Sequence, residues 1–127
     1  MNVTEVDFND RSLNGNDLTA AIRYNLSLLG YKPFRANVGK VRVYEKDKNG
    51  KVKEPPRLFD TGLPKGFSDT FSIKDGRVVF IEVKGKGDKI RPEQIEFINE
   101  MRSCGCRAGV AYTVQEAIDI AEGRTGD

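Results

Sequence analysis

Asp69, Glu82 and Lys84 are the residues whose types and spacing in this chain could do chemistry. Asp75-Gly76 is a two-residue hairpin signal between Ser68–Ile73, which alternates, and Val78–Val83, which is nearly continuously apolar. With that turn, residues pair so that their numbers sum to 151: Ile73 faces Val78, Phe71 faces Phe80, and Asp69 faces Glu82. Opposed Cβ atoms lie about 4.5–5.5 Å apart, and like charges so placed repel. Lys84, two residues beyond Glu82, projects from the same otherwise apolar face. A divalent cation held by both carboxylates, with the lysine beside it, resolves the repulsion. Only oxygen ligands are on offer, so the expected metal is Mg²⁺ or Mn²⁺ rather than zinc. The plainer alternative is a Glu82–Lys84 ion pair on a solvated strand end, since a bare E-x-K recurs by chance. The opposing Asp69 and the buried character of strand 78–83 weigh against it.

Composition narrows the chemistry further. The chain of 127 residues has the size of one domain with a modest core, and its 38% hydrophobic and 31% charged content is that of a soluble globular protein. It contains no histidine, which excludes Ser-His-Asp and Cys-His nucleophiles, His-ligated zinc and a histidine base. Cys104 and Cys106 are too few for a zinc finger or a disulfide framework and read as reduced, inert packing residues of a cytoplasmic protein. No apolar run has the length of a membrane span, and no signal-peptide core is evident, so no membrane role is expected.

The elements that must position the site follow from periodicity. Leu18, Ile22, Leu26 and Leu29 form a helical stripe over 16–29, with Asn16 as N-cap and Gly30 as the stop. Residues 1–15 form an irregular lead-in. A basic strand-like arm follows, with Val41 and Val43, a turn at KDKNG and a return through Val52 that ends at Pro55-Pro56. Pro92 opens a helix to Cys104, stopped by Gly105. Arg107–Tyr112 is a further strand and Val114–Ala121 a last short helix, and the stretch from Thr113 onward is acidic. The expected architecture is an α/β sandwich around a mixed sheet, all within one domain over 1–127.

The second helix puts Gln94 one step before its inward stripe of Phe97, Ile98 and Met101. A core-facing glutamine needs partners: it either bonds a water at the metal or the lysine, or caps backbone groups in the first turn. Asp17 suits the first turn of its helix through the macrodipole alone.

The net charge of +2 conceals a basic middle: residues 32–57 hold nine Lys/Arg against three acids. Lys40, Lys46, Lys48, Lys51 and Lys53, with Lys86, Lys89 and Arg91 in the later loop, make a stripe suited to a phosphate backbone. Arg35 and Asn37 are further phosphate-contact candidates. Taken alone, such runs are also what a solvated surface looks like.

With these residues in hand, the chain resembles the VRR-NUC (virus-type replication-repair nuclease) family of the PD-(D/E)xK nuclease superfamily. The likeness rests on KGFSD (65–69), IEVKGKGDKIRPEQ (81–94), a following G-x-x-A-G-V strand, the helix ending in LLG (28–30) and RANVGKVR (35–42), and spans roughly residues 16–113. The resemblance implies a restriction-endonuclease-like sandwich with Mg²⁺, for which Mn²⁺ substitutes, on Asp69, Glu82, the Val83 carbonyl and, as an outer or second ligand, Asp17. It implies that Lys84 polarises the attacking water and that Gln94 supports the site. It further implies a homodimeric endodeoxyribonuclease acting in DNA repair on branched DNA such as Holliday junctions, bacterial or phage-encoded, with no organic cofactor. Ser68 stands where a proline often precedes the aspartate, and Asp17 where the family's first-helix acid is usually glutamate. The alternative is a non-catalytic DNA-binding module that has kept the fold.

Overall fold

The computed structural model describes residues 1–124; the last three residues of the acidic tail lie outside it. Three helices, α1 (Gly15–Leu28), α2 (Pro92–Ser103) and α3 (Val114–Glu122), flank a sheet whose strands are β1 (Lys32–Arg35), β4 (Thr70–Lys74), β5 (Arg77–Val83) and β6 (Arg107–Ala111). Strand order is β1-β4-β5-β6, antiparallel except for the parallel β5–β6 pair bridged by α2. A separate ribbon pairs β2 (Lys40–Val43) with β3 (Arg57–Asp60). The expected mixed α/β sandwich is the observed fold.

The central hairpin has the expected register, with Phe71 opposite Phe80 and Ile73 opposite Val78. Asp75 and Gly76 both have positive φ, 52° and 75°, the signature of the turn whose twist matches paired strands. One loop residue more would have sent every side chain of β5 to the opposite face.

Strand β5 is buried on both faces because each finds a different helical layer. Val79, Ile81 and Val83 pack with Leu18, Ile22 and Leu26 of α1 and Val114, Ala117 and Ile118 of α3. Val78 and Phe80 point the other way, toward Phe97, Ile98 and Met101 of α2. Phe67 joins this second cluster, its ring 4.7 Å from Phe97 and 5.7 Å from Phe80. Aromatic pairs of this kind add roughly 0.5–1.5 kcal/mol each beyond area burial. Here they also pin the loop that delivers Asp69, two residues on.

Three local expectations are corrected. The N-cap of α1 is Asn14, not Asn16; its side chain accepts from the Asp17 amide at 2.8 Å, so the helix begins earlier. The partner of β2 lies beyond Pro55-Pro56, at 57–60, while Val52 makes an isolated bridge to Lys46. The prolines occupy the connection and do not end the arm. Leu58 and Phe59 left no pattern to read because both are exposed. Residues 32–35 form an edge strand beside β4, and within the lead-in Val6 and Leu13 pack against the core.

Candidate functional site

The loop that follows the hairpin, 84–91, has to pass the start of α1 closely. A side chain at Gly85 would collide with the backbone of Asn14 and Gly15, so only glycine fits there. The Lys86 amide donates to the Leu13 carbonyl and the Gly85 amide to Asp88 Oδ2. Across the cleft, Gly66 (φ 93°) lies against the Glu93 carbonyl, fastening the 61–68 loop to the first turn of α2. These two close approaches fold both loops and two helix starts around the open end of the β4–β5 hairpin.

The result is a cleft of about 540 Å³ lined by Asp69, Glu82, Val83, Lys84 and Gln94. Gly15, Asn16, Thr19, Arg35, Asn37, Val38, Val41, Asp88 and Arg91 also line it. Asp69 lies just before β4, where its Oδ2 accepts from the Val83 amide at 3.0 Å. Glu82 is 2% exposed. Its Oε1 accepts from Gln94 Nε2 at 2.9 Å and lies 3.3 Å from Lys84 Nζ. Its Oε2 is buried and receives no hydrogen bond from a protein donor, with the Asp69 carboxyl beside Glu82. Burial, then the Asp69 charge beside it, push the Glu82 carboxyl from 4.5 up to about 7, against the opposing pull of Lys84. A carboxylate placed like this lacks a positive partner that Lys84 alone does not replace.

Gln94 caps the first turn, as one reading of its position has it, and its other end reaches Glu82. Its amide oxygen accepts from the Arg91 N–H at 2.9 Å, capping α2, and its amide nitrogen holds Glu82. Its side-chain partner is thus the Glu82 carboxylate rather than the lysine.

Asp17 is not brought to the cleft. At about 100° per residue, a helix starting at Gly15 turns Gly15, Asn16 and Thr19 toward the cleft. It turns Asp17 away from them, against Asn14 Nδ2 at 3.2 Å. Among the described residues, no cluster of three or more His, Cys, Asp or Glu side chains is close enough to hold a metal. An ion here would rest on the two carboxylates and main-chain oxygen. Arg35, which reaches Asn16 Oδ1 at 3.4 Å, Asn37 and Arg91 do line the cleft. Lys40, Lys46, Lys48, Lys51, Lys53, Lys86 and Lys89 are exposed outside it. Asn16 and Asp88 were missed as cleft residues; the only sequence signal for them is the glycine pair of KGKGD, which permits the close approach.

An α/β sandwich with opposed carboxylates at the open end of its central hairpin defines a nuclease-like fold. Residues 55–115 match the model of the VRR-NUC domain, which covers β3 through the first turn of α3 and therefore Asp69, Glu82, Lys84 and Gln94. A solved structure described as a VRR_NUC domain superposes with a TM-score of 0.56 at 15% identity, covering 90% of this chain and all of that one. No curated protein matches the chain. The VRR-NUC resemblance of the sequence is borne out over residues 55–115, and the fold agrees with it. No helix among the described residues is long and apolar enough to cross a membrane.

Proposed function

We propose that the protein is a Mg²⁺-dependent, structure-selective endodeoxyribonuclease that hydrolyses phosphodiester bonds in branched DNA, Holliday-type junctions foremost, and acts as a homodimer. The observation that carries this reading is the buried, unpartnered Oε2 of Glu82 beside Asp69. A hard cation fits that pair, because both donors are carboxylate oxygens and the cation would supply the missing positive charge. Asp69, Glu82 and the Val83 carbonyl would hold it. When bound, Mg²⁺ supplies an activated water and neutralises charge on the scissile phosphate.

The chain's own residues do the rest. Gln94 fixes the rotamer of Glu82 through Oε1, leaving Oε2 free for the ion. The Val83 amide orients Asp69 in the same way. Lys84, 7% exposed, offers an ammonium at a fixed point, where it orients the attacking water and stabilises charge developing on the phosphoryl oxygens. Arg35 and Arg91 at the rim meet the flanking phosphates. Twofold symmetry suits the pairing of two cuts across a junction.

The test is cleavage of a labelled four-way junction beside linear duplex in Mg²⁺, Mn²⁺ and EDTA. Metal-dependent cutting of the junction and not of the duplex is expected. Binding without cutting under every metal would make the protein a DNA-binding module that has kept the fold, and no binding would discard the reading.

A further inference from the structure

The β2–β3 ribbon combines two properties that pull in opposite directions. It is strongly cationic, and it exposes large apolar side chains: Phe59 is 52% exposed, Leu58 58% and Val41 41%. Exposed apolar surface on a solvated ribbon has an unfavourable hydration cost unless something covers it. The register says where one such patch lies. Phe59 is directly opposite Val41, so both side chains project from one face of the ribbon. Val41 in turn lines the same cleft as Asp69, Glu82 and Lys84, together with Val38. Phe59 does not itself line the cleft, but its cross-strand neighbour Val41 does, so the ring extends an apolar stretch of the cleft wall outward along the ribbon. Arg57, two residues before Phe59, shares that face, as does Val43 opposite it.

An exposed aromatic ring and two valines on one face, with Arg57 beside them and Arg35 in the adjoining cleft wall, fit one partner chemistry well: unpaired nucleotides, whose bases stack while their phosphates meet the charge. A second copy seated on this face through a twofold axis would bring Arg57, the cation of the face, toward its own counterpart, which disfavours that occupant. Paired duplex presents its phosphates but keeps its bases stacked on one another. We infer that Phe59 is a stacking platform for an unpaired base next to the scissile phosphate, and that the site takes DNA with a single-stranded segment entering across the ribbon. The inference rests on the nuclease reading and narrows it to branched DNA whose bases at the branch point are unpaired. It makes Phe59 a specificity-determining residue.

The experiment measures equilibrium binding of the full chain to a fluorescent single-stranded oligonucleotide, with Ca²⁺ in place of Mg²⁺. Wild type, Phe59→Ala and Phe59→Trp are compared on that strand, on the same strand carrying abasic sites, and on blunt duplex. Phe59→Ala should bind the ordinary single strand about tenfold more weakly. Phe59→Trp should bind at least as well as wild type. All three should bind the abasic strand alike, and blunt duplex should distinguish them little. Unchanged affinity in Phe59→Ala, or a loss that persists on the abasic strand, would overturn the stacking role. A fall in sedimenting mass on Phe59→Ala would also overturn it, by making a second copy the occupant. If wild type binds the four-way junction but Phe59→Ala loses nothing on any strand, the nuclease reading survives and this inference fails. Absence of DNA binding by wild type would remove both.

Discussion

Two antiparallel strand pairs face the same cleft in this molecule and are built by opposite means. The β4–β5 hairpin is closed by a two-residue turn, and β5 is covered on both sides by helices, so its side chains have one place to go. The β2–β3 ribbon is joined through residues 44–56 and is exposed along nearly its whole length. Its ion pair, Arg57–Glu45 at 3.1 Å, has both side chains more than half exposed, where such a pair is worth little. In the hairpin, Lys84 and Glu82 are both buried, and an orphaned carboxylate oxygen is tolerated. A buried charge without a partner costs more than an exposed one and is held far more rigidly. Chemistry that needs a fixed ion belongs on the first kind of pair. Contact with a long, variable polyanion belongs on the second.

The sharpest way to break that contrast is to remove charge from the hairpin. Glu82→Ala or Lys84→Ala should lower junction cleavage by about 10³-fold or more while leaving DNA binding largely intact. Cleavage at the parental rate in Mg²⁺ by either variant would show that the rigid pair does not carry the chemistry.

The next effect is on stability, and its sign follows from Glu82. Its carboxyl is raised from 4.5 to about 7 in the folded chain, so the folded state holds this proton more tightly than the unfolded one. The contribution is fully present below about pH 4.5, falls as pH rises, and is gone above about pH 7. A shift of that size corresponds to roughly 3 kcal/mol at most. Metal-free protein should therefore lose stability between pH 5 and 7.5 relative to Glu82→Gln, whose amide cannot titrate. Denaturant unfolding of the two across that range checks it. Parallel curves would mean that Glu82 does not feel its burial or Asp69.

What could be read from sequence follows the same division between the two pairs. The hairpin register was legible because Asp75-Gly76 admits one turn geometry, which places Asp69 against Glu82 by arithmetic alone. Gln94 was legible as core-facing, because Phe97, Ile98 and Met101 set the helical phase. Asp17 was misleading: an acid in a first turn has a local role, and here it bonds with the N-cap Asn14 on a side of α1 away from the cleft. Asp88 and Asn16 could not be found, since they meet the site only through the backbone approach at Gly85, a contact between segments seventy residues apart. Strand β3 was invisible because its apolar residues face solvent and leave no alternation against a core.

The smallest expected effect on the fold separates the two regions most cleanly. Replacing Lys46, Lys48, Lys51 and Lys53 together by serine should change unfolding stability by under about 0.5 kcal/mol per site, because each is exposed and far from the core. The same variant should bind every DNA sequence more weakly, and its dependence on log salt should become shallower by about three to four. A single charge at the hairpin should change the chemistry and the folded state together; four charges in the 44–56 connection should change affinity and leave the fold nearly untouched. Unchanged affinity would take the basic ribbon out of the DNA path and leave the rim arginines to carry the phosphates. A large loss of stability would mean that the ribbon is packed more like the hairpin than its exposure indicates.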